Sequence, residues 1–223
     1  MDGRLMLKIS GELGTKSART RRRFLRILAD NVRAALDRDG VGGVVRPQWA
    51  RLFVETGDAP GAREALARVF GLHSVSEVAT LRFSTLDELV DEAASLYRDR
   101  VAGRTFAVRV KRSGDHGFKS QEVARRLGSA LLDSSAGVDL DVPEVEVPLE
   151  IVDGRAFAVL RSEDGPGGLP LGASGRVVAL FSGGFDSPVA TWMAMRRGTE
   201  VDLVVCDLGG CGQVDVALHV ARA

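Results

Sequence analysis

The sequence predicts an α+β protein that leads into the start of an α/β domain with a doubly wound parallel sheet. Three observations carry this prediction. The N-terminal part alternates short strands and helices, the middle part is helix, strand, helix, hairpin, and the last part is strand, glycine turn, helix, strand. The 223 residues are 45% hydrophobic and 27% charged, so the chain can bury its cores without disulfide or metal staples.

The N-terminal part has the element order β-α-β-β, followed by a second short helix. Leu25, Leu28 and Val32 recur at helical spacing and give the first helix an apolar face. This order predicts at least half of a ferredoxin-like α+β sandwich. The predicted elements are a strand at 4–10, a helix at 17–37, strands at 44–45 and 50–55, a helix at 60–70 and a strand at 78–83.

A second unit begins near Ser84. Ser84 or Thr85 can cap its first helix, and Ser120 can cap its second. The Asp153-Gly154 pair between two apolar runs predicts a hairpin turn. The predicted elements are a helix at 85–100, a strand at 105–110, a polar loop at 111–119, a helix at 120–132 and strands at 145–152 and 155–160.

The last part follows a segment rich in Gly, Pro and Ser at 162–175, which predicts a linker or a long loop at a domain boundary. The apolar runs 176–181 and 200–206 predict fully buried parallel strands joined by a helix at 187–197. One such βαβ unit begins a doubly wound sheet, and a last helix is expected near Asp215.

Charge is distributed unevenly, although the 30 basic and 30 acidic residues cancel. Residues 16–26 hold six basic side chains and no acidic one, and residues 104–126 hold seven against two. Such segments suit a polyanion, whereas the alternative for any single arginine is a solvated surface residue. No long apolar run or signal peptide is evident, so we expect no membrane association and a cytoplasmic location.

The two cysteines, Cys206 and Cys211, argue against a disulfide framework. Their C-x4-C spacing matches no common zinc site, so no side-chain metal cluster is predicted.

A glycine turn, Ser182-Gly183-Gly184-Phe185-Asp186-Ser187, lies between a predicted strand and a helix. Two glycines allow an anion to approach the backbone, and the helix N-terminus favours phosphate. Asp186 suits such a site only if a Mg²⁺ ion bridges it to phosphate. The turn lacks the Gly-Lys-Ser/Thr of a Walker A loop, and the plain alternative is a tight βα turn with helix-capping serines.

This turn resembles the SGGxDS loop of PP-loop ATP pyrophosphatases. Three further stretches, LMLKISGELGTKSARTRRRFLRIL, GRTFAVRVKRSGDHGFKS and GPGGLPLG, occur in the order expected for the tRNA 4-thiouridine synthetase (tRNA sulfurtransferase) family. The resemblance implies α+β N-terminal ferredoxin-like and THUMP domains followed by the start of an α/β PP-loop domain. The implied ranges are 1–58 for the ferredoxin-like domain, 59–163 for the THUMP domain, 164–175 for a linker and 176–223 for an incomplete PP-loop domain.

The resemblance also implies chemistry. ATP would adenylate the O4 atom of uridine 8 in tRNA, and activated sulfur would then displace AMP. Asp186 is the implied catalytic residue, with Mg²⁺ as cofactor. The implied ATP contacts are Leu180, Phe181, Ser182, Gly183, Gly184, Asp186, Ser187, Val205 and Cys206.

Basic residues in the two charged segments are the candidates for tRNA contacts, since RNA helices are recognised largely through shape and backbone. The candidates are Lys16, Arg21, Arg22, Arg109, Lys111, Arg112 and Lys119. By resemblance, a cysteine desulfurase would donate the sulfur, a homodimer is possible, and some members also supply sulfur for the thiazole of thiamine.

The resemblance weakens in the tail, GGCGQVDVALHVARA. A PP-loop domain needs more strands and helices, and the family's reactive cysteines lie farther along, so we expect a truncated enzyme that is inactive alone. Two alternatives stay open: a non-catalytic tRNA-binding THUMP module, and a PP-loop enzyme with another substrate.

Overall fold

The chain forms two compact units in a computed structural model that describes residues 3–48, 51–207 and 211–222. One unit combines Met1–Ser76 with Glu163–Ala223, and the other is Glu77–Ser162. The first unit therefore extends beyond the predicted domain boundary at residue 58. Within the described ranges, no helix has the length and apolar character that would let it cross a membrane.

The first unit begins with the ferredoxin-like arrangement that the sequence predicts. Its strand order is β2-β3-β1-β4, and β3 is antiparallel to both β1 and β2. Leu28, Val32 and Leu36 of the long helix are buried in its core, as expected. The elements are β1 (Gly3–Ile9), α1 (Gly11–Gly14), α2 (Ala18–Arg38), β2 (Val44–Gln48), β3 (Arg51–Thr56), α3 (Ala59–Leu66) and β4 (Leu72–Arg82).

Two predicted boundaries in this region are wrong. The helix expected at 60–70 ends at Leu66, and the strand expected at 78–83 begins at Leu72. Polar residues hide the start of β4 in the sequence, yet Ser74 and Ser76 are buried. Burial in the folded chain is a tertiary effect, and it overrides local strand preference. Ala50, the first residue of the predicted strand at 50–55, and Trp49 before it lie outside the described residues.

The second unit follows the predicted order of helix, strand, helix and hairpin, with one short strand added. Its strands lie in the order β8-β7-β5-β6; β5 is parallel to β6 and β7, and β7 is antiparallel to β8. Asp153 (φ 45°) and Gly154 (φ 78°) form the predicted hairpin turn. The elements are α4 (Leu86–Val101), β5 (Thr105–Ser113), α5 (Ser120–Leu132), β6 (Gly137–Val138), β7 (Val145–Val152) and β8 (Arg155–Asp164).

Helix capping in the second unit matches the sequence at one site and departs from it at another. Thr85 caps α4, with Glu88 bonding back to the cap residue in a complete capping box. Ser120 is not the cap of α5: Lys119 occupies that position, and its side chain makes no capping bond. The polar loop expected at 111–119 is also shorter, because β5 continues to Ser113.

A buried tyrosine of α4 ties that helix to the sheet of the second unit. The Tyr97 hydroxyl lies 2.6 Å from the Pro148 carbonyl oxygen and 3.0 Å from that of Val159. Burial raises the pKa of Tyr97 far above its ordinary value, so the hydroxyl stays protonated and can donate.

The predicted βαβ segment is present in the first unit as β9 (Arg176–Leu180), α6 (Asp186–Arg196) and β10 (Glu200–Val204), followed by α7 (Cys211–Arg222). The strands are parallel, with Arg176 opposite Glu200. Their predicted burial is wrong, since Val178 is 67% exposed and Leu180 74% exposed. Among the described residues β9 and β10 pair only with each other, and these apolar side chains remain exposed.

The segment 165–175, which we name the glycine strap, is a long loop with extensive packing. Leu169 and Ala173 are buried in the core of the ferredoxin-like part. The Asn31 side chain donates to the Leu171 carbonyl oxygen at 3.0 Å, and Arg23 donates to that of Ala173 at 3.3 Å. The strap is therefore held on α2 by both apolar and polar contacts.

The strap also holds the end of α6. Leu169 N donates to the Arg196 carbonyl oxygen at 2.9 Å, and Arg196 Nε donates to that of Pro166 at 2.9 Å. A Cβ on Gly168 would lie 2.1 Å from the Arg196 carbonyl oxygen, and its φ is +73°. Only glycine fits at this crossing.

We predict that Gly168→Ala lowers the free energy of unfolding of the first unit by roughly 3 kcal/mol, because strain adds to a backbone clash. Urea unfolding followed by tryptophan fluorescence reports on this unit, since Trp49 and Trp192 both belong to it. The matched control is Gly175→Ala. Gly175 has φ +89° but no atom within 4 Å of its added Cβ. It should cost only about 1 kcal/mol. Equal losses in the two variants would contradict the crossing.

Candidate functional site

The loop 182–187 lies where a phosphate loop must lie, between the end of β9 and the start of α6. Phe181 N donates to the Val204 carbonyl oxygen at 2.8 Å, so the strand pairing continues to the loop. Phe185 occupies the N-cap of α6, and no side chain in the described ranges caps that helix. Backbone N–H groups of the first turn are therefore available to an anion.

The serines of this loop bond to each other. Ser182 N donates to Ser187 Oγ at 2.9 Å, Ser187 Oγ donates to the Ser182 carbonyl oxygen at 3.0 Å, and the two hydroxyls are 3.1 Å apart. Gly184 N is 3.4 Å from Ser182 Oγ. Asp186, the first residue of α6, is exposed and has no ion pair within the described part of the chain.

The two loop glycines are needed for different reasons. A Cβ on Gly183 would lie 2.6 Å from Val216 Cγ1, so α7 packs directly against this position. A Cβ on Gly184 would meet nothing closer than Ser182 Oγ at 3.6 Å. Gly183 therefore serves packing, and Gly184 leaves the backbone open to a ligand.

The other sequence-predicted nucleotide contacts follow the same strands. Leu180 ends β9 and is exposed, whereas Phe181 is buried. Val205 and Cys206 follow β10, and the Cys206 thiol is free and exposed. Because carboxyl ends of parallel strands meet at one edge, the structure brings these residues and the loop to the same side of the β9–β10 pair. The Cys211 side chain lies outside what the structure describes.

In the second unit, the four predicted RNA residues differ in availability. Arg109 donates to Glu146 Oε1 at 3.3 Å and to the Leu140 carbonyl oxygen at 2.7 Å. Arg112 donates to the Gly114 carbonyl oxygen at 3.1 Å and contacts His116 Nδ1 at 3.3 Å. Lys111 and Lys119 are exposed, and neither forms an ion pair with any described residue. The lysines are thus the more available cations.

Two shallow grooves lie beside β5 and α5. One, of about 340 Å³, contains Arg109 and Lys111 and reaches Ser120 and Gln121 in the first turn of α5. The other, of about 320 Å³, is apolar except for Arg125 and Ser129. Its lining residues are Phe106, Val108, Ala124, Arg125, Gly128, Ser129, Leu132, Val138 and Leu140. This arrangement can hold a phosphate next to a flat apolar group.

In the first unit, Lys16, Arg21 and Arg22 lie at the start of α2, where Ser17 caps the helix through Thr20 N at 3.3 Å. Lys16 and Arg22 are exposed, and Arg21 is half-buried. Arg23 is engaged with the glycine strap instead of facing a ligand.

The sequence did not predict every residue of the basic start of α2 or of the grooves beside β5 and α5. Arg19 and Arg26 share the face of Arg22 at helical spacing and are exposed. Arg125 was visible only as one cation in a basic segment. The exposure of Leu132, Val138 and Leu140, which line the apolar groove, is visible only in the folded structure.

Three family models match the chain in sequence order. Residues 4–76 match the ThiI ferredoxin-like domain, residues 83–160 the THUMP domain, and residues 172–214 the thiamine biosynthesis protein (ThiI). A tRNA sulfurtransferase from Desulfurococcus amylolyticus is 46% identical over 218 residues, which cover 97% of this chain and 45% of the relative. The chain thus matches the tRNA sulfurtransferase family over nearly its whole length.

Other relatives agree. A tRNA sulfurtransferase from Pyrobaculum aerophilum is 42% identical over 212 residues, covering 95% of this chain and 43% of the relative. The chain thus spans about half the length of these curated relatives of the family.

Solved structures share the fold. A crystal structure from Pyrococcus horikoshii superposes with a TM-score of 0.85 at 27% identity, covering 99% of this chain and 73% of the other. A 4-thiouridine synthetase solved with RNA and ATP superposes with a TM-score of 0.77 at 24% identity, covering 100% of this chain and 58% of the other. The predicted fold class of ferredoxin-like, THUMP and partial PP-loop domains is confirmed.

We predict that Gly183→Ala displaces α7, because the new methyl group overlaps Val216. Hydrogen exchange of the α7 amides should accelerate about tenfold or more. Gly184→Ala is the matched control and should leave exchange in α7 unchanged, since its added methyl group meets open space. Similar exchange in both variants would contradict the packing role of Gly183.

Proposed function

We propose that this chain is the tRNA-recognition part, with the start of the ATP site, of an enzyme that makes 4-thiouridine at position 8 of tRNA. The observation that carries the proposal is the 46% identity to a tRNA sulfurtransferase over 97% of the chain. The neighbour solved with RNA and ATP supports both ligand classes.

The RNA role rests on the two basic surfaces. Lys111, Lys119 and the first turn of α5 form a site for backbone phosphates, since ammonium groups and a helix N-terminus both favour anions. The adjacent apolar groove suits an unpaired base at the 3′ end, because single-stranded RNA presents flat apolar faces. On α2, Lys16, Arg21 and Arg22, together with Arg19 and Arg26, supply a further set of phosphate contacts.

The nucleotide role rests on the loop 182–187. Backbone N–H groups around Gly183 and Gly184 and at the start of α6 would hold the phosphates of ATP. Leu180, Phe181, Val205 and Cys206 would contact the nucleoside. Asp186 is an exposed carboxylate beside these donors, and one carboxylate plus substrate phosphates suits Mg²⁺. The ion would neutralise phosphate charge.

The proposed reaction has two parts. The uridine O4 atom attacks the α-phosphorus of ATP and releases pyrophosphate, and sulfur then replaces the adenylated oxygen as AMP leaves. A cysteine desulfurase would supply the sulfur, and the reaction would take place in the cytoplasm. The same sulfur would serve thiamine thiazole synthesis. The proposed assembly is a homodimer. Cys206 is not proposed as the cysteine that carries the sulfur.

A second candidate is a tRNA-binding module without catalysis. It is favoured by the position of the exposed Lys111 and Lys119, which lie outside the loop 182–187. An RNA-binding role needs no residue of that loop, so tRNA binding without ATP binding would support this candidate.

We predict that the chain binds tRNA with an affinity that falls as KCl rises. Lys111→Ala and Lys119→Ala should each reduce the slope of log affinity against log salt by about 1, because each removes one phosphate contact. Filter binding over a KCl series measures the slope.

Matched controls are available on both units. Arg126→Ala removes a cation of α5 that is already paired with Asp87. Arg33→Ala removes a cation of α2 that is paired with Asp30 at 2.7 Å. It is the control for Arg22→Ala, which removes an exposed cation of the same helix. Neither control should change the slope. A folded chain that fails to bind tRNA at low salt would refute the RNA role.

We predict weak, Mg²⁺-dependent ATP binding, with a Kd of about 1 mM, seen as NMR shifts of the Gly183 and Gly184 amides. Asp186→Asn should abolish the Mg²⁺ dependence. Asp202→Asn is the control, since that carboxylate on β10 lies 3.8 Å from Arg176 and should not touch the nucleotide. Shifts that are the same with and without Mg²⁺ in the wild-type chain would contradict the assigned role of Asp186.

A further inference from the structure

The apolar groove beside α5 contains a glycine that the fold itself does not require. Gly128 lies inside α5, where glycine is the least favourable residue after proline. It does not have the positive φ that would call for glycine. A Cβ built on it would meet nothing within 4 Å beyond its chain neighbours and the backbone of its own helix. Neither backbone conformation nor packing within the described chain therefore accounts for this glycine.

The space above Gly128 belongs to the groove of about 320 Å³. Arg125, Gly128 and Leu132 line it at spacings of three and four, so they share one face of α5. On the other side of the groove, Val138 is 51% exposed and Leu140 is 63% exposed. The groove is thus open at Gly128, with uncovered apolar side chains beside a bare stretch of helix backbone.

The charge around the groove indicates what kind of ligand it fits. Arg125 is exposed and forms no ion pair with any described residue. The groove that contains Lys111 shares Val108 and Ala124 with the apolar groove, so the two adjoin. One groove is apolar and the other carries cations, which matches the base and the phosphate of a single nucleotide.

We propose that Gly128 is the point where an unpaired base at the 3′ end of tRNA lies flat against the backbone of α5. The inference deepens the proposed RNA role of this surface and rests on it. Without a Cβ, the helix backbone can be approached closely, which is a recurrent use of glycine at ligand sites. Arg125 lies one turn earlier on the same face, where its planar guanidinium can stack on the base or meet its phosphate.

The test is Gly128→Ala, which should change stability and binding in opposite directions. Alanine is the better helix former, so hydrogen exchange of the α5 amides, measured by NMR on the whole chain, should slow about threefold. The added methyl group should hold the base away from the helix and weaken binding of intact tRNA about fivefold. Gly128→Leu should weaken it further. The same tRNA without its unpaired 3′ nucleotides should bind the wild-type chain and both variants equally.

Ser95→Ala is the matched control. It raises the helix propensity of α4 in the same unit, and Ser95 does not line the groove. This variant should leave the binding of both tRNAs unchanged, which separates a more stable helix from an altered groove.

The remaining outcomes decide against the proposal in distinguishable ways. Wild-type binding of intact tRNA by Gly128→Ala, or equal weakening for intact and truncated tRNA, would overturn the assignment of Gly128. Faster exchange in α5 would mean that the variant disturbs the helix, and the proposal would fail there as well. If the wild-type chain binds both tRNAs equally, the inference is wrong and the RNA role stands. If it binds neither, the proposed RNA role fails with it.

Discussion

After the chain has completed the second unit, three backbone hydrogen bonds join residues 165–167 to residues 71–73 of the first unit. Gly71 N donates to the Gly167 carbonyl oxygen, Gly167 N to that of Leu72, and Gly165 N to that of His73, each at 2.8 Å. A Cβ on Gly165 would lie 2.5 Å from the Leu72 carbonyl oxygen, so this approach requires glycine. This junction and the strap that follows it begin the packing of the C-terminal segment on the ferredoxin-like part.

The strap links the loop to that part of the fold. Its residues pack into the core beside α2, and its backbone holds the last turn of α6. Arg197 at the end of α6 also pairs with Glu12 at 2.7 Å, and Trp192 meets Phe70 edge-on with ring centroids 5.7 Å apart. The exposed ion pair contributes little alone, whereas the buried Leu169 and Ala173 contribute through apolar burial. The loop 182–187 therefore leads into a helix whose far end is fixed.

Local signals in the sequence were enough for most of the fold. The helix cap at Ser84 or Thr85, the Asp153-Gly154 turn and the glycine loop were recognisable because each acts within a few residues. The start of β4 was missed, because Ser74 and Ser76 are polar and their burial is visible only in the folded structure. The exposure of β9 was missed for the same reason: an apolar run indicates a buried strand only when other elements cover it.

The candidate site divides in a similar way. The position of the loop 182–187 followed from its motif, and the basic segments followed from charge. The sequence did not show which cations are available. Arg23 and Arg109 donate to the carbonyl oxygens of Ala173 and Leu140, which lie far along the chain. Composition shows where arginines are, and only the folded structure shows which of them already have partners.

Because the first unit is built from two separate stretches of the chain, its two parts are synthesised at different times. Ribosomes deliver the chain from the N-terminus, so Glu77–Ser162 emerges whole before the strap that completes the core around Leu28 and Val75. The second unit can close on its own residues at that moment. The first must hold a core that lacks Leu169 and Ala173 until later residues arrive, so a nascent chain stalled before residue 165 presents one finished domain and one open one.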